Sequence, residues 1–576
     1  MPADHGKAGL LTDAPADWRE QSKEQRAAIN QFHIAAITEH FRTAKKKEKV
    51  RAEDLPLDER LGNYIIQGTR DGLIEDLERK RAEGAAPLEI INGPLMAGMA
   101  EVGRLFNANV LIVAEVLQSA EAMKAAVGHL EQFMEKSDAS KRGKIVLATV
   151  KGDVHDIGKN LVEIILKNNG YEVVNLGIKV PPEELIKAYL QHHPDAIGLS
   201  GLLVKSAQQM VVTASDLRDA GIAIPMLVGG AALSGKFTQQ KIAPSYGNAV
   251  CYAKDAMTGL RLMNELMNPA TRRTLLQEHT AAARDGVSLT TTLAVKELTP
   301  VTRSPRVRVD LPIESVGYLD RKVRLVPDLR EVWSYINPFM LYGRHMGYKG
   351  DFGKHLTARE PKAVELYEQM EEVKEEAAKW MKVRAVWQFF EAEAAGERLE
   401  VFAPGGRLPA HVWNLPRQPA GDRLCLSDYV LPSRDGVRDH MAIFVVTAGE
   451  GVRERAEAAK NSGYYFRSHG LQALAIETAE ACAEWLHRRI REDWGFPDPA
   501  DMTMAERFTS RYRGKRYSFG YPACPELEDQ IGIWKLLRPE EIGVRLTEGF
   551  MMDPEASVSA LVFIHPECSY FSVGAD

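Results

Sequence analysis

The feature that most constrains the fold is an alternation of short apolar runs with helical stretches between residues 144 and 252. Strands that alternate with helices are typical of a parallel sheet covered on both faces, and such buried strands are continuous apolar runs. The sequence therefore predicts a flavodoxin-like, doubly wound α/β domain at 141–268, whose ligand should lie outside the carboxyl ends of the strands. The predicted strands are 144–150, 171–175, 196–200, 225–228 and 249–252.

The rest of the 576 residues predicts a multidomain protein. At 55–137, apolar residues recur at spacings of three and four, which predicts a small helical bundle. Residues 269–315 lose this order and predict a linker that ends in a strand. The region 316–576 mixes long charged helices with strand-like runs and predicts a separate α+β domain. Residues 1–54 are polar and charged, and we interpret them as a lead-in or as the helical tail of a missing upstream domain.

Composition excludes two classes of partner. The formal net charge of -6 argues against a general nucleic-acid binder, and no run of about twenty apolar residues predicts a membrane span. The five cysteines are scattered without a C-x-x-C pair, and residues 1–11 lack the basic-then-apolar pattern of a signal peptide. We therefore expect a cytoplasmic protein without a disulfide framework or a zinc site.

The loop after the first predicted strand carries a candidate metal ligand, His155, in the sequence Gly-Asp-Val-His-Asp-Ile-Gly at 152–158. An imidazole nitrogen is a good ligand for a borderline transition metal such as cobalt. Asp153 can accept the other ring N–H and so fix the tautomer. Gly152 and Gly158 leave space for a bulky partner at the backbone. Taken alone, an Asp-x-His pair is also compatible with an ordinary loop hydrogen bond.

The ends of two later predicted strands carry further candidate residues. A serine and a leucine follow the third strand, another serine opens the next helix, and two glycines follow the fourth strand. Small residues suit a narrow slot beside the sheet, since a larger side chain would fill it. In chain order these residues are Ser200, Leu202, Ser206, Gly229 and Gly230.

Together the three motifs resemble the cobalamin-binding motif of vitamin B12-dependent methyltransferases and mutases. The resemblance implies that His155 ligates cobalt in place of the cofactor's own dimethylbenzimidazole, whose nucleotide tail then lies in the slot. It also implies that Asp153, His155 and Ser206 form a relay whose protonation follows the oxidation state of cobalt. The other implied cobalamin contacts are Gly152, Val154, Asp156, Ile157, Gly158, Ser200, Leu202, Gly229 and Gly230.

Residues 103–116 resemble the helical cap that precedes the cobalamin domain in the methionine synthase family. In that family an aromatic and an aliphatic residue cover the methyl group on cobalt. Phe106 and Val113 match these positions, although the loop is one residue shorter and a valine replaces a leucine. Apolar cover would exclude water from a reactive methyl–cobalt bond. The alternative is that both side chains fill the core of the bundle.

The sequence Arg516-x-x-x-Gly520-Tyr521-Pro-Ala-Cys-Pro resembles a segment of the activation domain of methionine synthases, which binds S-adenosylmethionine (AdoMet). The resemblance implies that Arg516 grips the methionine carboxylate. Arg516 could instead form a structural ion pair, and Glu480 could be a helix-surface charge. The other implied AdoMet contacts are Glu480, Gly520, Tyr521, Tyr570 and Phe571.

One position departs from the family pattern. Where the family has an aspartate before a Pro-Phe pair, this chain has Asn337. A neutral amide lacks the charge attraction to an ammonium group, so the affinity for AdoMet is in question.

The resemblance implies a cobalamin-dependent methyltransferase with methylcobalamin and AdoMet as cofactors. Cobalt would carry a methyl group from 5-methyltetrahydrofolate to homocysteine, and AdoMet with a flavodoxin-like reductant would restore cobalt that has become oxidised to Co(II). The implied partners are that reductant and the homocysteine and methyltetrahydrofolate modules, in cis or in trans.

Two alternatives belong to other functional classes. One is a corrinoid methyl carrier for another donor, such as methanol or a methylamine, and the AdoMet-type C-terminal domain argues against it. The other is a B12-based light or ligand sensor, which would need a DNA-binding domain, and the sequence shows no basic recognition helix.

Overall fold

The structure is a computed structural model, and it describes residues 55–133, 142–202, 204–285, 301–326 and 328–574. The chain comprises two units, Met1–Arg60 and Leu61–Asp576. Of the first unit, only residues 55–60 belong to the described part, so most of the predicted lead-in lies outside it.

The predicted helical bundle is confirmed. Helices α1 and α4 pack closely where Gly62 and Gly98 meet. A β-carbon at Gly98 would lie only 2.6 Å from the carbonyl oxygen of Gly62, so a larger residue would force the helices apart. The carboxylate of Glu115 accepts the N–H of Ile112 at 2.7 Å and so caps α5. The elements are α1 (Leu57–Gln67), α2 (Leu73–Ala82), α3 (Pro87–Ile90), a π-helical turn at Ile91–Leu95, α4 (Met96–Asn107) and α5 (Val113–Glu131).

The predicted doubly wound sheet is also confirmed. Its five strands are all parallel and run in the order β2-β1-β3-β4-β5, which is the flavodoxin-like order. The strands are β1 (Lys144–Thr149), β2 (Glu172–Asn175), β3 (Ala196–Ser200), β4 (Met226–Gly229) and β5 (Val250–Tyr252). The intervening helices are α6 (Ile157–Lys167), α7 (Pro182–His192), α8 (Val204–Asp219), α9 (Gly235–Phe237), a π-helical turn at Thr238–Ile242, α10 (Ala243–Tyr246) and α11 (Ala256–Met267).

The region predicted to be a linker differs from the prediction at both ends. Helix α12 (Pro269–Asp285) follows α11 directly and packs against it and against α10. Its apolar signal is weak, and Leu275 is the buried aliphatic residue on its described face. No strand forms at 301–315 within the described residues. Instead, Ser304 fixes this segment to the following domain by donating a hydrogen bond to the carbonyl of Asp422 at 2.6 Å.

The region after the linker is the predicted α+β fold. Its seven-stranded sheet has the order β11-β14-β10-β7-β8-β9, and β6 pairs with β7. The long helix α17 (Tyr465–Asp493) packs on one face of β10 and β14, and α19 lies on the other side. The strands are β6 (Lys322–Val326), β7 (Val383–Ala395), β8 (Arg398–Phe402), β9 (Pro409–Asn414), β10 (Asp439–Thr447), β11 (Lys515–Tyr517), β12 (Arg545–Leu546), β13 (Met552–Asp553) and β14 (Ser557–Phe563).

The helices of this region lie mainly between the strands in sequence. They are α13 (Leu329–Trp333), a π-helical segment at Phe339–His345, α14 (Phe352–Thr357), α15 (Pro361–Ala377), a 3-10 turn at Leu426–Tyr429, α16 (Val452–Asn461), α17, α18 (Met504–Phe508), a 3-10 turn at Leu527–Asp529, α19 (Gln530–Leu537) and a 3-10 turn at Pro539–Ile542. Of the helices in the described residues, none is long and apolar enough to cross a bilayer.

Candidate functional site

The loop between β1 and α6 holds the His155 ring through a buried carboxylate. Nδ1 of His155 donates to Oδ1 of Asp153 at 2.6 Å, and the backbone N–H of His155 donates to the same oxygen at 2.9 Å. Oδ2 of Asp153 accepts the hydroxyl of Ser206 at 2.6 Å and the N–H of Leu202 at 2.8 Å. Nε2 of His155 has no hydrogen-bond partner among the described residues, which leaves this nitrogen free for a ligand.

Electrostatics favour opposite charges on the two residues of this pair. Burial opposes ionisation of both, but their mutual hydrogen bond and charges outweigh it. The pKa of Asp153 is therefore lowered and the pKa of His155 is raised. Burial raises the pKa of the nearby Glu555 to about 7, although the charge of His155 opposes that shift.

His155 faces a cavity of about 740 Å³ between the carboxyl ends of the parallel strands and the C-terminal domain. Pockets for cofactor-sized molecules have volumes of this order, roughly 300–1,000 Å³. On the side of the parallel sheet the lining residues are Ile157, Gly158, Ser200, Gly201, Leu202, Gly230 and Ala231. On the opposite side they include Asn337, Glu480, Glu484, Arg516, Tyr521 and Glu555.

The cavity wall fits a large ligand beside His155. A β-carbon at Gly158 would have no heavy atom within 4 Å, so a side chain there would extend into open space beside the histidine. Leu202, 37% exposed, presents apolar surface on the same side. An imidazole nitrogen, apolar surface and small residues are together suited to a corrin whose metal needs one protein ligand. Within the described residues, no group of three or more His, Cys, Asp or Glu side chains forms a multidentate metal site.

The two glycines at the end of β4 lie very close to neighbouring loops. At Gly230, where φ is +143°, a β-carbon would lie 1.7 Å from the carbonyl oxygen of Gly201. At Gly229 it would lie 2.9 Å from the carbonyl oxygen of Ala253. These glycines therefore allow close contact between neighbouring loops, whereas the sequence interpretation assigned them to a slot for the cofactor tail.

Gly152 likewise lies close to the backbone of another segment, in the C-terminal domain. Its φ is +79°, and a β-carbon would lie 2.9 Å from Cα of Gly549, in the loop between β12 and β13. The hydroxyl of Thr547 donates to the carbonyl of Gly152 at 2.7 Å. Other residues of the motif also contact the C-terminal domain, since Val154 packs against Leu527 and Met551. The β1–α6 loop is thus held from both sides.

Arg516 lies on the opposite side of the cavity, beside the acidic residues of α17. Its Nη1 is 2.5 Å from Oε2 of Glu484, and its Nη2 is 4.0 Å from Oε2 of Glu480. Tyr521, 58% exposed, lines the same region. Arg516, the predicted carboxylate-binding residue, therefore lines the same cavity as His155. It also forms an ion pair with Glu484, which was the alternative role considered from the sequence.

The side chain of Asn337 makes a hydrogen bond within its own segment. Its Oδ1 accepts the N–H of Phe339 at 3.0 Å at the start of the π-helical segment. Asn337 lines the cavity but offers no negative charge there, as the sequence indicated.

Eleven of the predicted residues do not line this cavity. Seven of them lie in or behind its wall segments: Gly152, Asp153, Val154, Asp156, Ser206, Gly229 and Gly520. The other four are Phe106, Val113, Tyr570 and Phe571. Val113 packs against Leu117, Ala120, Ile164 and Tyr465 in a small apolar cluster, and Phe106 is half-buried elsewhere on the cap. The ring of Tyr570 contacts that of Tyr517 edge-on, at a centroid distance of 5.5 Å, and Phe571 packs beside it. In this arrangement the C-terminal domain, and not the cap, lies opposite His155.

Several residues of the cavity were missed from the sequence. Oε1 of Glu477, a buried residue, is 3.0 Å from Nε2 of His345. Glu484 and Glu555 were also missed. Glu477, Glu480 and Glu484 recur at spacings of three and four on α17, and this spacing was the available signal, but it is equally typical of a solvated helix face.

Three protein-family models match the chain. A model described as the activation domain of vitamin B12-dependent methionine synthase matches residues 328–575. Two models described as B12-binding domains match residues 57–131 and 143–260. These segments correspond to the α+β region, the helical bundle and the parallel sheet, respectively.

Individual relatives agree with these matches. The methionine synthase of Mycobacterium tuberculosis is 36% identical over 583 residues, which cover 94% of this chain and 48% of the relative. That of Mycobacterium leprae is 35% identical over 582 residues, which cover 92% and 47%. The chain thus spans about half the length of these curated relatives.

Among solved structures, the MetH reactivation domain bound to AdoHcy matches 48% of this chain and 86% of that chain, at 27% identity and a TM-score of 0.42. From the family models and the curated relatives, this chain belongs to the cobalamin-dependent methionine synthase family and carries its B12-binding and activation domains.

Proposed function

We propose that the chain binds cobalamin and that Nε2 of His155 would be the protein's ligand to cobalt. The observation that carries this proposal is the free Nε2 at the edge of a 740 Å³ cavity, with Nδ1 held at 2.6 Å by Asp153. A metal-ligating histidine ordinarily has its second nitrogen fixed by a carboxylate in this way. Ser206 completes the contact by orienting Asp153.

Bound cobalamin would supply a cobalt atom that accepts a methyl group, donates it, and can be remethylated after oxidation. The protein's own residues would orient the imidazole, exclude water and hold the proton on Nδ1. A proton can move between the His155 ring and the Asp153 carboxylate along their hydrogen bond, and the Ser206 hydroxyl, which donates to the other carboxylate oxygen, stabilises the negative charge on Asp153.

We propose that the arrangement in which the C-terminal domain lies opposite His155 is the one that reactivates oxidised cobalt. The C-terminal domain places Arg516 and Tyr521 on the same cavity as His155. A methyl donor held by Arg516 through its carboxylate would share this cavity with the corrin. AdoMet fits this requirement, because its carboxylate suits a guanidinium and its methyl group is activated. AdoMet-dependent reductive remethylation is the reaction we propose, with a flavodoxin-like protein as the electron donor.

We further propose that the cobalamin serves methionine synthesis, in which a methyl group passes from 5-methyltetrahydrofolate to homocysteine. Modules for these substrates would act in cis or in trans, and would need access to the face that the C-terminal domain now occupies. When that domain leaves, Phe106 and Val113 of the cap would cover the methyl group. The cap (55–137), cobalamin domain (141–268), linker (269–315) and activation domain (316–576) are the mobile parts in this proposal.

The substitution His155→Gly tests ligation. The full chain, reconstituted with methylcobalamin, should keep the cofactor but shift its visible spectrum from the form with a nitrogen ligand to the form without one. His193→Gly is the matched control, because His193 is exposed in the same domain and has φ of 45°, which suits glycine. An unchanged spectrum of the His155→Gly protein would contradict the proposal.

A further inference from the structure

Glu484 carries an unused acceptor atom beside Arg516. Its Oε2 accepts Nη1 of Arg516 at 2.5 Å and the hydroxyl of Tyr512 at 3.1 Å. Its Oε1 is buried and has no hydrogen-bond partner in the described part of the chain. The side chain is only 8% exposed, and it lines the cavity. A buried acceptor without a partner destabilises the fold, because it has lost water and gained no donor in return, so such an atom calls for a ligand.

Arg516 is only partly used by this ion pair. A guanidinium has five N–H donors on three nitrogen atoms. Of these nitrogens, Nη1 donates to Glu484. Nη2 lies 4.0 Å from Glu480, too far for a hydrogen bond. The guanidinium can therefore bind Glu484 and a ligand carboxylate at the same time.

The pair presents both charges that an α-amino acid needs. An α-amino acid has its carboxylate and its ammonium on one carbon atom, so a site for both must offer a cation and an anion side by side. Arg516 and Glu484 are in direct contact, 2.5 Å apart. A zwitterion can align with them head to tail, its carboxylate on Arg516 and its ammonium on Oε1 of Glu484.

Other candidate partners for the ammonium are less suited. Asn337 is neutral, and its Oδ1 already accepts the N–H of Phe339. Glu477 is paired with His345 and lies two turns away from Glu484 on α17. The side chain of Glu480 is 48% exposed, so its oxygens, unlike Oε1 of Glu484, do not need a ligand to replace lost water.

We propose that Glu484 recognises the α-ammonium group of the methyl donor, paired with the carboxylate that Arg516 binds. This inference rests on the proposed function, since it assumes that the pocket takes AdoMet. Glu484 is then the residue that selects an α-amino acid over a plain carboxylic acid, and it supplies the charge that Asn337 does not.

The test compares two ligands that differ in the amino group. S-Adenosylhomocysteine carries no reactive methyl group, and its des-amino analogue lacks only the ammonium. Titration calorimetry on the full chain should give roughly 10- to 100-fold weaker binding of the des-amino analogue to the unsubstituted protein, the range of one charged hydrogen bond. In Glu484→Gln this ratio should fall below about 3-fold.

Glu492→Gln is the matched control, because it makes the same change on the same helix but away from the cavity, where Glu492 pairs with Arg488 at 2.8 Å. It should keep the ratio of the unsubstituted protein. Glu484→Asp retains the charge on a shorter side chain and should give an intermediate ratio, which keeps the test usable if Glu484→Gln does not fold.

Two results overturn the inference while leaving the proposed function intact. One is an unsubstituted protein that binds both ligands equally. The other is a Glu484→Gln protein that keeps the full ratio. If the unsubstituted protein does not bind S-adenosylhomocysteine at all, the AdoMet site itself is wrong and the role of Glu484 fails with it.

Discussion

At the scale of single residues, the contacts of the His155 loop were predictable and the acidic wall of the cavity was not. The Asp153-x-His155 spacing places both side chains in one loop, where a hydrogen bond between them is a local property. Ser206 was linked to Asp153 and His155 by the family resemblance, and its hydroxyl does contact Asp153, at 2.6 Å. Glu484 depends instead on the packing of α17 against Arg516, which no local pattern encodes.

Asp153 should be needed for cobalamin affinity even though it does not face the cofactor. In Asp153→Asn the amide oxygen can keep the two hydrogen bonds of only one carboxylate oxygen. The amide nitrogen cannot accept hydrogen bonds from the N–H groups on the other side, and the negative charge beside the ring is lost, so the hold on His155 is weakened. Loss of such a supporting contact typically weakens metal binding about 10- to 100-fold. Equilibrium dialysis with methylcobalamin measures this loss.

Asp255→Asn is the control for that substitution. Asp255 caps α11 by accepting the N–H of Thr258 at 2.7 Å, and asparagine caps a helix about as well. Its cobalamin affinity should stay within about 2-fold of the unsubstituted protein. Equal affinities of Asp153→Asn and Asp255→Asn would mean that the Asp153 carboxylate does not support the ligand.

At the scale of elements, periodicity predicted what depends on local burial and missed what depends on neighbours. The runs that became β1 to β5 were recognised because a strand covered on both faces is apolar throughout. Helix α12 was missed because few of its residues are buried, although it packs on α10 and α11. The helical segment between β4 and β5 is divided into α9, a π-helical turn and α10, a change of hydrogen-bond register that the spacing of apolar residues does not show.

Two glycines of the strand-end loops should respond in opposite ways to alanine. Gly230→Ala forces a side chain into φ of +143° and against the carbonyl of Gly201, and should destabilise the cofactor-free protein by about 1–3 kcal/mol or more. Gly158→Ala lies in the first turn of α6 with open space around it, and should be neutral or stabilising by up to about 1 kcal/mol. Urea unfolding of the cofactor-free chain separates the two.

Cobalamin binding should show a different pattern. Gly158→Ala should weaken it, because the added methyl group projects into the cavity beside His155. If Gly158→Ala binds cobalamin normally, the corrin does not occupy that part of the cavity. If Gly230→Ala is as stable as the unsubstituted protein, the close contact of its loop with Gly201 does not exist in solution.

At the scale of the whole molecule, the sequence predicted the domains but not which of them faces His155. The resemblance implied that the cap residues Phe106 and Val113 cover the cofactor, and in the structure the C-terminal domain lies opposite His155. The contacts that fix this arrangement are charges far apart in sequence: Lys179 with Asp553 at 2.5 Å, and Glu163 with Lys460 at 2.9 Å. Such pairs cannot be recognised until both surfaces are known.

The ion pair between Glu163 of α6 and Lys460 of α16 should make the closed arrangement sensitive to acid. Burial disfavours the charge of Glu163, but hydrogen bonds from Lys167 and Lys460 outweigh it and lower the pKa of Glu163 from 4.5 to about 2. A carboxyl whose pKa is lower in the folded protein stabilises it above the usual pKa, and this contribution is lost as the pH falls from about 4.5 towards 2. Glu163→Gln should therefore destabilise the protein by about 2–3 kcal/mol at pH 7.

Thermal unfolding of both proteins between pH 7 and pH 3.5 measures this difference, which should shrink as the pH drops below about 4.5. Glu457→Gln is the control, because Glu457 also contacts Lys460 at 2.9 Å but is 52% exposed. An exposed pair is screened by solvent, so this change should cost less than about 1 kcal/mol. If the two substitutions have equal effects at pH 7, the buried pair does not hold the C-terminal domain over His155, and the closed arrangement must depend on the contacts of the β1–α6 loop with Thr547 and Gly549.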